Sequence, residues 1–161
     1  MSNNNYLVVK DKVQRFAKQL FNTVQLNDDG SLSVPYESTH VFIEVFDMTS
    51  DDADFNAWRK ENDLSFTTVS IWAMVVMDVK PSNELYKWVA IDGQDYNLGG
   101  FKLVMLEDGL VNIIYRTAIS GDNLDAGELK GALLAVATTA DETDEMLKSR
   151  FGGKTVEDIR N

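Results

Sequence analysis

The sequence predicts an α+β fold in which helices pack on one antiparallel sheet of about five strands. Three observations predict it: amphipathic helical stretches at both ends of the chain, two hairpins marked by short polar turns, and one long apolar strand between them. The predicted order of elements is α-β-β-β-α-β-β-α. Antiparallel hairpins with the helices segregated from them favour this class over a parallel α/β sheet.

The first helix and the first hairpin follow from two different periodicities. Apolar residues recur at steps of three and four at Val9, Val13, Phe16, Ala17, Leu20 and Val24, which is typical of one helix face. The segment 27–30 ends this helix, with Gly30 supplying a positive φ. Segments 31–35 and 40–46 then form a hairpin around the turn 36–39, because apolar and polar residues alternate in the second of them.

The third strand, Phe66 to Asp78, is apolar on both faces between Ile71 and Met77. One face carries Ile71, Ala73, Val75 and Met77, and the other carries Trp72, Met74 and Val76. A strand of this kind is covered on both faces or lies under a partner. The residues Trp72, Met74 and Val76 are the candidate peptide-binding surface, because Met-bearing apolar surfaces adapt to different peptides. The other interpretation, that the three side chains are core, stays open.

Capping signals place the two remaining helices. Ser82 is a suitable N-cap for a helix from Asn83 to about Asp92, with Gly93 as its stop. A second hairpin, 99–106 and 110–117, follows it. The last helix is preceded by a capping box and a hydrophobic staple, and it ends at a glycine pair. These signals are Asp125 with Glu128, Leu124 with Leu129, and Gly152 with Gly153.

The domain organisation is predicted to be a single domain over residues 1–161. The acidic segment 47–65 is interpreted as a loop insertion that could hold a short surface helix. The segment 154–161, after the glycine pair, is predicted to be a flexible tail.

Charge and composition exclude several classes of function. The net charge is −11, which disfavours binding to nucleic acid and to anionic membranes. The chain has no cysteine, so disulfides and thiol catalysis are excluded. Residues 1–5 do not form a signal peptide, and the longest apolar run is far below the roughly 20 residues of a membrane helix. A cytoplasmic protein is expected.

No pattern of catalytic, metal-binding or cofactor-binding residues is visible, so we predict none of these sites. His40 is the one histidine, and it is interpreted as structural. The segment 148–155 lacks the first glycine of a phosphate loop and follows a helix, where a phosphate loop follows a strand. The oxygen-rich segment 92–97 lacks the glycine and glutamate of a calcium loop and is interpreted as a polar turn.

Several of these segments resemble one family. Residues 78–89 are similar to the Pro-x-x-Glu-Leu-aromatic helix start of the YbjN-like proteins, which belong to the type III secretion chaperone-like superfamily. The segments 121–129, 137–144 and 151–153 are similar to the same family. The resemblance covers about residues 6–46 and 66–153 and is strongest after residue 66. It implies a small acidic α+β protein that binds polypeptide segments and often forms a homodimer, with no catalytic residues to carry over.

Two functions are therefore expected, in order. The first is a non-enzymatic polypeptide-binding chaperone or adaptor, whose client contacts Trp72, Met74 and Val76 or adds a strand at a sheet edge. The alternative is a small-ligand-binding or sensory domain, with a pocket between sheet and helices lined by Trp72, Trp88 and Tyr115. An enzyme ranks third, because no nucleophile–base pair is visible.

Overall fold

An antiparallel sheet organises the fold in the computed structural model, which describes residues 4–96 and 98–160. Over these residues the strands are β1 (Gln25–Leu26), β2 (Leu32–Tyr36), β3 (Thr39–Asp47), β4 (Thr67–Val79), β5 (Gly100–Met105) and β6 (Val111–Ser120). The helices are α1 (Asn4–Leu20), α2 (Ala53–Glu61), α3 (Asn83–Ala90), α4 (Ala126–Phe151) and α5 (Val156–Arg160), with a 3-10 turn at Asp92–Gln94. The strand order is β1-β2-β3-β4-β6-β5, and every pairing is antiparallel.

The predicted fold class is confirmed, with six strands in the described part of the chain where about five were expected. The additional strand is β1, a two-residue segment that pairs with Leu32 and Ser33. Its pairing depends on where β2 lies, and two residues are too few to show a strand periodicity.

The core lies between one face of the sheet and the helices α1 and α4. The inward residues of β3, β4 and β6 alternate with outward ones, and they pack against the apolar stripes of both helices. The strand residues of this cluster include Val41, Ile43, Val69, Ile71, Ala73, Ile113 and Tyr115, and the helix residues include Val9, Val13, Leu129, Leu133, Val136 and Ala140. The small side chains in the middle of α4 let this helix lie close to the sheet.

The start of α4 is fixed as its sequence predicts. The Asp125 side chain accepts a hydrogen bond from the backbone N–H of Glu128 at 2.7 Å. At its other end Gly152 has a φ of 75°, which ends the helix. Along its length α4 also contacts the β2–β3 turn, where the Ser38 hydroxyl lies 2.5 Å from Asp141 Oδ1 and 2.8 Å from Asp144 Oδ2.

The entry to β4 is held by one carboxylate. Asp122, in the loop after β6, accepts hydrogen bonds from the backbone N–H of Phe66 at 2.8 Å and from the Thr67 hydroxyl at 2.5 Å. Partial burial opposes the ionised form of Asp122, but these hydrogen bonds outweigh it and lower its pKa.

The acidic segment 47–65, interpreted above as a loop insertion, contains the helix α2. Asp52 caps this helix by accepting from the N–H groups of Asp54 and Phe55. No residue of α2 is buried, so it is a surface helix that depends on its caps and charges.

Some predicted bounds differ from those of the structure. The predicted tail 154–161 is paired with the sheet: the Met77 N–H donates to the Lys154 carbonyl at 2.7 Å, and the Lys154 N–H donates to the Met77 carbonyl at 2.9 Å. Helix α5 follows, while Asn161 lies outside the described residues. The helix after Ser82 ends at Ala90, two residues before its predicted end at about Asp92, and Gly93 lies in the 3-10 turn that follows.

Candidate functional site

The central strand β4 has one covered face and one open face. Ile71 and Ala73 point into the core and are 0% exposed. Trp72 and Met74 point to the other side of the sheet and are partly exposed. On the same open face, Val104 of β5 is 44% exposed. The strand that the sequence shows as apolar on both sides is therefore covered by core on one side and faces solvent on the other.

Val76 does not share this open face, so that part of the predicted surface is wrong. In the β4–β6 ladder Met74 pairs with Ile114, whereas Val76 pairs with Ile113. The two residues of β4 therefore advance by two while β6 advances by one, which is a β-bulge at Val75. The bulge reverses the alternation of side chains, and Val76 is 0% exposed in the core.

A shallow hollow of about 230 Å³ lies on the open face. Its lining includes Glu44, Trp72, Met74, Val104, Ile114 and Arg116. At its side the rings of Phe42 and Trp72 stack, with centroids 4.2 Å apart and planes inclined by 15°. Phe42 and Trp72 are directly paired across β3 and β4, so the register of the sheet fixes the position of the stacked rings.

Two charged side chains flank the hollow. Glu44 lies on β3 opposite Ser70 of β4, and Arg116 lies on β6 opposite Trp72. Arg116 Nε donates a hydrogen bond to Ser70 Oγ at 2.8 Å, which brings the guanidinium level with Glu44 on the other side of β4. Among the described residues, no ion pair joins Glu44 to Arg116 or to any other cation. The open face thus combines an apolar floor with one negative and one positive group.

The pocket predicted between sheet and helices is filled by aromatic rings. Trp72 lies on the open face, away from Trp88 and Tyr115, which are 5% and 1% exposed in the core. The Phe101 ring lies between the latter two, with its centroid 5.0 Å from each. The Tyr115 hydroxyl donates to the Leu98 carbonyl, and burial raises the pKa of Tyr115. Trp88 and Tyr115 therefore share one aromatic cluster, but Trp72 lies on the other face of the sheet and does not join them.

His40 lies at the start of β3, where its ring centroid is 6.4 Å from that of Phe42. Burial lowers the pKa of His40, and the charge of Arg160 lowers it further. Within residues 4–96 and 98–160, no cluster of three or more His, Asp or Glu side chains could hold a metal ion. The 92–97 segment is described only to Tyr96, since Asn97 lies outside the described residues.

The register that builds the open face could not be inferred from the sequence. Trp72 and Met74 were found by their alternation in an apolar strand. Phe42 and Glu44 could have been found by the same alternation in β3, but Arg116, Ile114 and Val104 require the pairing of β4, β6 and β5. Among the described helices, none is both long enough and apolar enough to span a membrane.

The fold is shared with solved structures of low sequence identity. The structure of YbjN from E. coli, described as a putative transcription regulator, matches with a TM-score of 0.59 at 13% identity, over 85% of this chain and 92% of that chain. A chain of the ExsC–ExsE complex matches with a TM-score of 0.56 at 14% identity, over 88% of this chain and 95% of that chain. Comparison with curated protein sequences gives no match.

A family model covers most of the chain. The model describes the type III secretion (YopN, CesT) and YbjN peptide-binding chaperones, group 1, and it matches residues 59–159. This range contains β4, β5, β6 and α4, which include most of the open face and most of the core. The resemblance noted in the sequence is therefore confirmed, and the chain belongs to the type III secretion and YbjN peptide-binding chaperone family.

Proposed function

We propose that this protein is a non-enzymatic chaperone or adaptor that binds a polypeptide client on the open face of its sheet. Family membership supports the peptide-binding class. The observation that supports this surface is the partly exposed pair Trp72 and Met74, beside the Phe42 ring, on a strand whose other face is fully covered.

A client that buries several large apolar side chains on this face could reach a useful affinity. Burying a large apolar side chain contributes about 1.5–3 kcal/mol, so three or four client side chains could contribute roughly 5–12 kcal/mol before the costs of association. Affinities in the micromolar range correspond to about 8 kcal/mol, and such complexes exchange readily. A chaperone that hands its client on needs exchange of this kind.

The proposal includes the cytoplasm as the place of action and a homodimer as the assembly. The second copy would use a surface other than the open face, so that the client surface stays accessible. Sedimentation velocity over a range of protein concentrations tests the homodimer. A single species at the monomer mass at every concentration would reject it without affecting the client surface.

Selection from a random peptide library tests the client surface. Peptides are selected on the wild-type protein and then measured against the double variant Trp72→Ser/Met74→Ser. We expect at least a tenfold loss of affinity in this variant, because both anchor contacts are removed. Leu26→Ser, at a 60% exposed position on β1, is the matched control and should leave the affinity unchanged. Equal binding to all three proteins would show that the peptides bind elsewhere.

A further inference from the structure

Helix α2 carries a second exposed apolar surface, which does not belong to the sheet. The Phe55 and Trp58 rings stack with centroids 5.8 Å apart and planes inclined by 24°, and the two residues are 43% and 50% exposed. Met48 and Leu64, before and after the helix, are exposed as well. Large apolar side chains that are exposed together, with Trp among them, are typical of a binding surface.

Folding holds this aromatic pair in place without burying it. No residue of α2 is buried, and a helix of nine residues is too short to be stable alone. Asn56 exchanges two hydrogen bonds with the Ser50 backbone, at 3.0 and 2.7 Å. The Arg59 guanidinium donates to the Ser65 carbonyl and lies over the Phe66 ring. The pair is therefore held in position before a partner binds, which reduces the free energy that binding must supply to order it.

The segment around the pair is more acidic than the helix requires. Residues 47–65 hold six acidic and two basic side chains, which gives a net charge of −4. Asp52 caps α2 and Asp54 lies in its first turn, where negative charge stabilises a helix. Glu61 and Asp63 lie at the other end, where negative charge is unfavourable, and among the described residues neither belongs to an ion pair. The stability of α2 does not explain these two charges.

An aromatic pair surrounded by carboxylates fits side chains that are both apolar and cationic. Lys and Arg place an aliphatic stem on apolar surface while the charged end stays accessible to a carboxylate. Their cations are also attracted to the faces of aromatic rings, most strongly to Trp. Nucleic acids and anionic membranes are repelled by the negative charge of the segment. The complementary partner is therefore a basic polypeptide segment that also contains apolar residues.

We propose that Phe55 and Trp58 form a docking site for a segment of a partner polypeptide in which Lys or Arg residues flank apolar ones. This site is separate from the open face, and it stands or fails independently of the proposed client surface. Both residues lie before residue 59, where the family match begins, so family membership does not imply this site.

Three fluorescent peptides of one twelve-residue sequence test the docking site. All contain the same two Leu and one Phe, and four further positions are all Lys, all Gln or all Glu. Fluorescence anisotropy with the full chain at 50 mM salt measures their affinities. We expect the Lys peptide to bind about tenfold more tightly than the Gln peptide, which corresponds to a few modest ion pairs, and the Glu peptide to bind more weakly than both.

Two aromatic variants locate the contact. Phe55→Ser/Trp58→Ser should weaken binding of the Lys peptide at least tenfold, because the apolar contact and the cation–π contact are both removed. Trp72→Ser/Met74→Ser is the matched change on the open face and should leave this affinity within twofold. Since no residue of α2 is buried, the first variant is expected to fold, and circular dichroism checks this.

Two charge variants separate the local carboxylates from the total charge. Glu61→Gln/Asp63→Asn should weaken the Lys peptide about threefold and leave the Gln peptide unchanged. Asn suits position 63, where φ is 53°. Asp92→Asn/Asp95→Asn removes the same charge from two exposed positions outside the segment and should have the smaller effect. Should a variant not fold, photo-crosslinking of a benzophenone-labelled Lys peptide to the wild-type protein decides, because the crosslinks must fall within residues 48–66.

The other outcomes overturn the proposal. Equal affinities of the three peptides would reject charge selection. Binding that is lost in Trp72→Ser/Met74→Ser and kept in Phe55→Ser/Trp58→Ser would move the peptide to the open face and leave the proposed function intact. Equal effects of the two charge variants would reduce the preference to attraction by the net charge of −11.

Two further measurements cover the other occupants of the aromatic pair. Binding to phosphatidylcholine vesicles that is lost in Phe55→Ser/Trp58→Ser, without binding of the Lys peptide, would assign the pair to a membrane surface. Self-association that is lost in the same variant, again without binding of the Lys peptide, would assign it to a second copy of this chain.

Discussion

The two faces of β4 differ in what their side chains contact, although their compositions are similar. On the inner face Ile71 lies among core residues of both long helices, whereas on the outer face Met74 lies beside a hollow open to solvent. The inner-face side chains of β4 therefore belong to the core, and we expect them to contribute more to stability than the partly exposed outer ones. A strand that is apolar on both sides can therefore contribute one face to the core and leave the other partly exposed.

Truncating one side chain on each face of β4 tests this difference and has the largest expected effect on stability. Ile71→Ala should lower the free energy of unfolding by about 2–5 kcal/mol, because it leaves a cavity in a fully buried site. Met74→Ala, the matched change on the open face, should cost less than about 1 kcal/mol. Urea unfolding of both variants measures the difference. Equal losses would show that the outer face also contributes to the core.

A glycine substitution tests how the end of β4 is held. A Cβ at Gly153 would lie 2.4 Å from the Met77 carbonyl oxygen, and the residue has a φ of 93°. Gly153→Ala should therefore cost about 3 kcal/mol. At Gly152 the φ is also positive but no atom lies within 4 Å of the new Cβ, so Gly152→Ala should cost about 1 kcal/mol. Similar losses in thermal unfolding would contradict the close contact.

The start of β4 depends on an ionised carboxylate, which gives a test by pH. The pKa of Asp122 is lowered in the folded protein, so its stabilisation is present above the unfolded pKa and is lost as the pH falls through the folded pKa. Asp122→Asn should cost about 2 kcal/mol at pH 7, because one of its acceptor atoms becomes a donor.

The same variant should lose less additional stability in acid than the wild-type protein does. Denaturant unfolding between pH 7 and pH 3 measures this. Parallel curves for the two proteins over that range would mean that Asp122 is not responsible for the acid loss.

The smallest expected effect is a gain in stability, and it comes from removing the charge of Asp144. Burial raises the pKa of Asp144, and the neighbouring charges of Asp141 and Glu145 raise it further, against the hydrogen bond from Ser38. A raised folded pKa means that ionised Asp144 destabilises the fold at pH 7, and this cost disappears as the pH falls through the folded pKa.

Asp144→Asn removes the charge and keeps an oxygen that can accept from the Ser38 hydroxyl. The free energy of unfolding of this variant should be higher than that of the wild-type protein by at most about 1 kcal/mol at pH 7, and this gain should shrink in acid. Asp141→Asn is the comparison, because Asp141 lies on the same turn of α4 and beside the same Ser38 hydroxyl. A loss of stability in Asp144→Asn would contradict the conclusion that the ionised Asp144 side chain destabilises the fold.

Local signals in the sequence were sufficient for much of the fold. The cap at Asp125, the stop at Gly152 and the turn after Tyr36 depend only on neighbouring residues, and the structure confirms all three. The positions that could not be predicted depend on distant pairing. Val76 turns inward because of a bulge against β6, and Lys154 pairs with Met77 across 77 positions of the chain.

The candidate surface likewise depends partly on local signals and partly on distant pairing. The alternation in β4 identified Trp72 and Met74, but the hollow exists because β6 and β5 place Ile114 and Val104 beside them. Likewise, the position of Arg116 level with Glu44 depends on its hydrogen bond to Ser70 two residues along the neighbouring strand.

The bridge between Lys154 and Met77 also bears on aggregation. The β2–β3 hairpin turns back at residues 37–38, so the last residues of β4 extend beyond it and would present unpaired backbone groups on that side. Unpaired strand edges are templates for the addition of another chain. The Lys154 backbone pairs with Met77 and occupies this edge, so we expect it to hinder the addition of a strand from another molecule. The open face of the sheet is not covered by this pairing.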